Sequence, residues 1–337
     1  MPQKKKRKLS RHHIIIIIIS GIMLVATISV FAVNSFIPLK YLSSFLVFGN
    51  PNEEGLLRVN FVDVGNGDCT IIELPDGKIL MIDGGDGTHA HNAKILKELN
   101  SRNVDNIDYL ICSSVENGSC GGLKEILNYK TVDKIFAPYS PVTYISEGFK
   151  HFMDAIKQLD KEISYCEYGV GIEGKGYSFC FLSPDSHLYE GGEYGTLLNS
   201  PTEQNIKNAS AVIWLECDGV NFMFLGNTGQ AVQKKLINYY NVSGLEFGGR
   251  TIDLTKCDIL KMSDHGSKEG AFAQFIDLLN PHTAIISVGE NGRGNPTLAA
   301  IANAQKNVGD ELYRTDELGT ITVTVNGGNY EISKEKQ

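Results

Sequence analysis

The hydrophobic positions of this chain fall into two regimes. Ile14 to Val33 runs for twenty residues without a charge. A helix of that length spans roughly 30 Å, the thickness of a bilayer's hydrocarbon core. Tyr41 to Phe48 is a second apolar stretch, too short to span and suited to a membrane interface or a domain surface. From Leu56 onward, short β-rich runs alternate with amphipathic stretches. Strands are predicted over Leu56–Val64, Cys69–Leu74 and Lys78–Asp83, with turns at Gly65–Gly67 and Pro75–Gly77. Asn92–Ser101 reads as a helix on the spacing of Ala93, Ile95, Leu96 and Leu99, and "NIDYLICSS" reads as a continuous apolar strand buried on both faces. Ser146–Asp160 reads as a helix with Phe149, Phe152, Met153, Ile156 and Leu159 on one face.

Further strands are predicted at Ile163–Tyr168, Tyr177–Leu182, Ala211–Cys217, Asn221–Leu225, Asp258–Met262 and Thr283–Val288. Helices are predicted at Gln230–Tyr240, Ala271–Leu279 and Thr297–Lys306, with a closing hairpin around Asn326–Gly328. Pro184–Lys207 is the one long irregular stretch. Strands followed by alternating helices and strands, twice over, predict an α/β fold of two sheets packed face to face with helices outside. No Gly/Ser-rich or Pro-rich linker divides this region, so it reads as one domain over residues 55–334.

Charge orients the arrangement. Lys4, Lys5, Lys6, Arg7, Lys8 and Arg11 precede the apolar span with no acid among them. Basic residues before a span stay cytoplasmic. The expected organisation is a basic cytoplasmic tail (1–13), a transmembrane helix (14–33), a linker (34–54) and an extracytoplasmic domain. A cleaved signal peptide is the competing reading. Against it, the apolar run is long and no small-x-small site precedes Asn34. Residues 1–40 hold seven of the chain's 31 lysines and arginines and none of its 39 acids, so the remainder carries 24 basic against 39 acidic residues, a formal charge near −15. That balance disfavours nucleic acid as a partner unless a local basic patch exists. The seven cysteines form no CxxC and mostly sit in apolar runs, as small core residues do.

The segment "VNFVDVGNGDCTIIELPDGKILMIDGG" (Val59–Gly85) resembles the opening of the metallo-β-lactamase-like domain of ComEC-type competence proteins. "LKMSDHGSKEG", "AIISVGENGRGNP" and "YRTDELGTITVTVNGG" match the same family in the same order. The resemblance implies a four-layer αββα sandwich with a metal site at the rim where the two sheets meet. In that family the ligands come from a T-H-x-[HD]-x-D-H-x-G-G loop, the Asp of a T-G-D strand end, an H-H-G-S loop and a final G-H-P.

Here most of those positions are changed. Ser114, Glu116, Gly118 and Ser119 stand at the four ligand places of the first loop, while Cys120, Gly121 and Gly122 keep its frame. Asn227 replaces the T-G-D carboxylate, Asp264-His265 replaces the histidine pair, and Asn295 replaces the last histidine. Only Glu116, Asp264 and His265 remain as strong donors. Zinc or manganese needs three or more imidazole or carboxylate groups and an open position for water. The expectation is therefore a retained fold with a dismantled metal centre: a non-catalytic binding or scaffold protein with no cofactor, its groove taking an unidentified ligand. Two alternatives are a Zn- or Mn-dependent hydrolase of phosphodiesterase or nuclease type with a non-classical site, using Glu116, Asp264 and His265 with His89 or His91 as further candidates, and an accessory factor in DNA uptake.

Other residues carry weaker signals. His89 and His91, with Asp86 nearby, form an H-x-H at a helix start and read as exposed histidines. Asp83, Asp63 and Asp68 read as turn residues accepting backbone hydrogen bonds, with Gly65 and Gly67 supplying positive φ. Asp264, His265 and Ser267 lie too close in one loop for a hydrolytic triad. Arg293 and Arg314 read as ion-pair or capping residues before phosphate ligands. The sequons at Asn117, Asn208 and Asn241 matter only in a host that glycosylates them.

Overall fold

The computed structural model describes residues 55–139, 146–185 and 203–336, with side chains in 203–205 excepted. The expected tail, transmembrane helix and linker (1–54) lie outside the described residues. Among the described residues no helix is long and apolar enough to cross a membrane.

Among the described residues seventeen strands fall into two large sheets and one hairpin. The first sheet takes β1 (Leu57–Phe61), β2 (Thr70–Glu73), β3 (Ile79–Ile82), β4 (Asn106–Ile111), β5 (Thr131–Ala137) and β6 (Ile163–Tyr165). The second takes β7 (Gly171–Glu173), β8 (Tyr177–Ser183), β9 (Val212–Cys217) and β10 (Val220–Phe224), then β13 (Ile259–Lys261), β14 (Thr283–Ile286) and β15 (Leu312–Arg314). The two-stranded hairpin is β11 (Glu246–Phe247) with β12 (Arg250–Thr251). Finally β16 (Ile321–Asn326) and β17 (Asn329–Lys334) return to the first sheet, whose order is β17-β16-β1-β2-β3-β4-β5-β6. The second sheet runs β15-β14-β13-β10-β9-β8-β7.

Both halves are built alike. An antiparallel meander (β1-β2-β3, then β8-β9-β10) leads into parallel strands (β4 to β6, then β13 to β15). Parallel pairing requires crossovers, and helices supply most of them. The first half uses α1 (His89–Ser101), α2 (Asn117–Cys120), α3 (Leu123–Tyr129) and α4 (Glu147–Gln158). The second half uses α5 (Glu203–Asn208), α6 (Gln230–Val242), α7 (Ala273–Leu279), α8 (Leu298–Val308) and α9 (Thr315–Leu318).

Strand alternation sorts the side chains into three buried layers. Leu57, Val59, Phe61, Ile72 and Leu80 point between the sheets and meet Phe136, Phe181, Phe222 and Phe224. Phe61 and Phe224 stack across the gap with centroids 6.0 Å apart. Ile71, Met81 and Leu110 point the other way, onto Ile95, Leu99 and Phe152 of the first helical layer. Met223, Leu260 and Ile286 likewise face Leu236, Phe275 and Ala300 of the second. The result is the helix–sheet–sheet–helix order that the sequence pattern predicts.

The sequence reading also leaves out α2, α3, α9, β7, β15 and the β11–β12 hairpin; three further details differ. The irregular stretch ends in α5, so its last residues are helical. β5 passes unrecognised because Thr131, Asp133 and Lys134 are exposed along it and break the apolar run. Gly65 has the expected positive φ of 63°, but Gly67 has none. At Gly67 the requirement is close approach, since a Cβ there would lie 2.8 Å from the Gly118 carbonyl oxygen.

Candidate functional site

The ends of β1, β3, β4, β10, β13 and β14 carry loops that meet at one rim of the sandwich. Backbone hydrogen bonds lace them together: Asp68 N donates to Gly118 O (3.0 Å), Gly84 N to Ser119 O (2.7 Å) and Asp264 N to Gly226 O (3.0 Å). The carboxylate of Asp83 accepts from both the backbone N–H and the hydroxyl of Ser113, each at 2.6 Å. Carboxyl ends of strands are where open α/β sheets gather ligands.

The rim brings the sequence-nominated positions together. Ser114 is buried, and its hydroxyl accepts from Glu116 N (3.2 Å). Glu116 accepts from the Asn227 amide at 2.6 Å. Gly118 sits against His265: a Cβ at Gly118 would make ordinary van der Waals contact, 3.6 Å from His265 Nε2. Asp264 accepts from the Lys207 ammonium at 2.7 Å. His265 Nδ1 lies 2.9 Å from the Ser287 carbonyl oxygen, and Asn295 donates its amide to Asp264 O (3.3 Å). Ser119 Oγ and Asn227 Oδ1 are buried with no hydrogen-bond partner among the described residues.

The loop after β13 is unusual in its backbone. Asp264, His265 and Gly266 have φ of 46°, 55° and 75° in succession. For a residue other than glycine the left-handed region costs roughly 1–3 kcal/mol, so two in a row persist only because neighbours hold them. The Gly226 carbonyl, the Ser287 carbonyl and Thr297 N–H are among the groups that do so.

Charge at the rim is arranged in buried pairs that span loops. Lys261, in the middle of the second sheet, lies 2.6 Å from Asp68, which the sequence presented as a turn residue. Asp68 is instead an interior anion, with His265 Nδ1 a further 3.9 Å neighbour. Burial pushes its carboxyl up, yet Lys261 and His265 hold it below the ordinary value. Asp83 goes the other way: burial and the nearby Asp68 charge push it well up, against the two Ser113 hydrogen bonds. Glu116 is raised by burial, against the pull of Lys207 and the Asn227 hydrogen bond.

Sequence reasoning missed Lys207 and Lys261. One signal was available: a lysine inside the apolar run "DILKM" of a central strand demands a buried counter-charge.

The remaining candidates are dispersed. His89 is exposed, and His91 pairs with Asp86 at 2.8 Å on α1. Asp63 accepts from Gly65 N (3.3 Å), as a turn residue should. Ser267 accepts from Gly270 N (3.0 Å) and takes no part in a triad with His265. Arg314 pairs with Asp316 and Glu317, both at 2.7 Å. Of the three sequon asparagines, Asn208 is buried. Arg293 lines an open cleft of about 600 Å³ at the rim with Lys207, Asp264, Lys268, Glu269 and Asn295.

The family resemblance implies a divalent metal here, and the described residues do not fit one. Among the described residues no three His, Cys, Asp or Glu side chains converge on a point. Asp264 faces an ammonium, Glu116 an amide, and serine, glycine and asparagine fill the other places. Hydroxyls and amides give too little charge to hold such an ion or to depress the pKa of its water.

No family model matches the chain. It is 23% identical over 295 residues to ComE operon protein 3 of Bacillus subtilis, covering 82% of this chain and 34% of that protein. It is 26% identical over 242 residues to Recombination protein 2 of Haemophilus influenzae, covering 71% of this chain and 25% of that one. The chain thus spans about a third or less of the curated relatives it matches. In fold it resembles CmlA, a diiron β-hydroxylase from Streptomyces venezuelae, with a TM-score of 0.50 and 10% identity over 82% of this chain and 55% of that one. Matching segments, a paired-sheet sandwich and these likenesses agree: the chain carries a ComEC-like domain of the metallo-β-lactamase fold.

Proposed function

We propose that this protein is a membrane-anchored, extracytoplasmic binding protein whose rim cleft holds an anionic ligand without cleaving it. One observation carries the reading. Three buried or half-buried rim carboxylates are each engaged by a protein group: Asp68 by Lys261, Asp264 by Lys207, Glu116 by Asn227. Carboxylates committed in this way are structural. The exposed Lys268 and Arg293 turn the cleft toward negative groups, with Asn295 beside them as a polar contact. Local charge, not the acidic net charge, sets what such a cleft attracts. The apolar run 14–33 and the basic residues before it support the anchor and its orientation.

A second reading, a Zn- or Mn-dependent hydrolase, is favoured by His265. Its Nδ1 is fixed on the Ser287 carbonyl, which presents Nε2 as an acceptor in the way metal-bound histidines are oriented.

The full chain, purified in detergent without chelators, separates the two. Binding of pyrophosphate and of a short labelled single-stranded oligonucleotide is measured against salt, alongside elemental analysis and a bis(p-nitrophenyl) phosphate assay. The expected result is salt-dependent binding of at least one probe, weakened about tenfold by Lys268→Glu with Arg293→Glu, and no turnover. Stoichiometric metal and turnover, both lost in His265→Ala, would overturn it. Absence of binding to either probe would also sink the anionic-ligand assignment.

A further inference from the structure

We infer that Lys207 is a built-in cation, standing where the fold otherwise gathers carboxylates and imidazoles around a metal, and that it makes this rim refractory to divalent ions. The inference rests on the metal-independent reading of the rim and adds the residue responsible for it.

Lys207 comes from the last turn of α5, a segment that carries no family motif. Directly after it, Ala211 N donates to Ser113 O at 2.7 Å, which ties the start of β9 to the loop after β4. The lysine is thereby held against two ligand-bearing loops. Its Nζ lies 2.7 Å from Asp264 Oδ2, with the side chains 9% and 6% exposed. Its charge also acts on Glu116, which stands at a ligand place of the other loop and feels Asp264 as a repelling neighbour.

Two carboxylates brought together out of water need a positive charge nearby. A divalent ion supplies one by coordination. An ammonium on a covalent tether supplies one permanently, donates hydrogen bonds, and has no empty orbital with which to activate water. A metal entering here would have to displace Lys207 from Asp264, leaving a buried ammonium without that partner, so the lysine excludes the ion by charge as well as by space.

The test uses the full chain in detergent, comparing wild type, Lys207→Arg, Lys207→Met and the double variant Lys207→Met with Asp264→Asn. Thermal unfolding and bound metal are read with EDTA, Zn²⁺ or Mn²⁺. Wild type and Lys207→Arg should keep their Tm in all three conditions. Lys207→Met should lose on the order of 10 °C in EDTA, and Mn²⁺ or Zn²⁺ should return part of that loss while binding near one equivalent. The double variant should recover most of the loss without metal and bind none.

If Lys207→Met does not fold in EDTA, its refolding with metal present and the recovery of the double variant carry the same information. A Lys207→Met protein that gains no metal and no metal-dependent Tm overturns the inference and leaves the binding reading standing. Wild type that already holds stoichiometric metal overturns both.

Discussion

The ammonium of Lys261 lies 2.6 Å from a carboxylate oxygen of Asp68, and this contact joins the two sheets. Asp68 sits on the loop between β1 and β2, and Lys261 on β13, so the pair closes the sandwich from inside the rim. Both side chains are almost fully shielded from water. Removing one partner strands a buried charge, whereas removing both does not. Lys261→Met alone should cost about 3–5 kcal/mol of unfolding free energy, and Lys261→Met with Asp68→Leu should recover most of it. Denaturant titration of the three proteins measures the coupling. Equal losses in the single and double variants would count against an interior ion pair.

Glu116 gives a pH signature. Its folded value is raised above the ordinary 4.5, first by burial. The folded state therefore binds this proton more tightly than the unfolded chain does. That contribution is fully present below 4.5 and declines as pH rises through the folded value. Glu116→Gln should flatten this part of the stability profile, so that the variant gains on wild type as pH is raised. Thermal melts from pH 4 to pH 8 provide the comparison, and parallel profiles would refute the assignment.

The glycines of the first rim loop are not equivalent. A Cβ at Gly121 would lie 2.3 Å from the Asp86 carbonyl oxygen, and backbone cannot swing aside. At Gly118 the nearest atom is 3.5 Å away. Gly121→Ala should destabilise by about 1–3 kcal/mol, while Gly118→Ala, within α2, should be neutral or stabilising by up to about 1 kcal/mol. Paired unfolding curves would show the asymmetry or its absence.

All seven cysteines are unpaired and buried. Burial pushes the thiols of Cys180 and Cys217 up to about 12 and raises those of Cys112 and Cys166 well above the ordinary thiol value. A thiol that is both shielded and protonated reacts slowly. Maleimide at pH 7.5 should leave the native protein unlabelled over an hour and add seven equivalents after denaturation, as intact mass would record. Rapid native labelling would mean that at least one of these positions opens readily.

The sandwich was legible because its signals are local. Val59–Gly85 declares three strands and two turns by alternation and glycine placement, and the motif positions of the rim could be numbered before any coordinates were known. The ion pairs were not legible, because Lys207 and Asp264 lie 57 residues apart and nothing in the neighbourhood of either names the other. Asp68 shows the same limit. "DVGNGD" reads as a turn on its own terms, and only the opposing sheet reveals that its last carboxylate is an interior anchor. The helix α5 was hidden for a different reason, since six residues give too short a window for periodicity to register.

Strand β1 runs toward the cleft, from Leu57 at the far end of the sandwich to Phe61 beneath the rim. Gly55 is bonded to Pro75, in the turn between β2 and β3 at that far end. Gly55, the first described residue, therefore stands at the opposite end of the sandwich from the cleft, a full strand's length away.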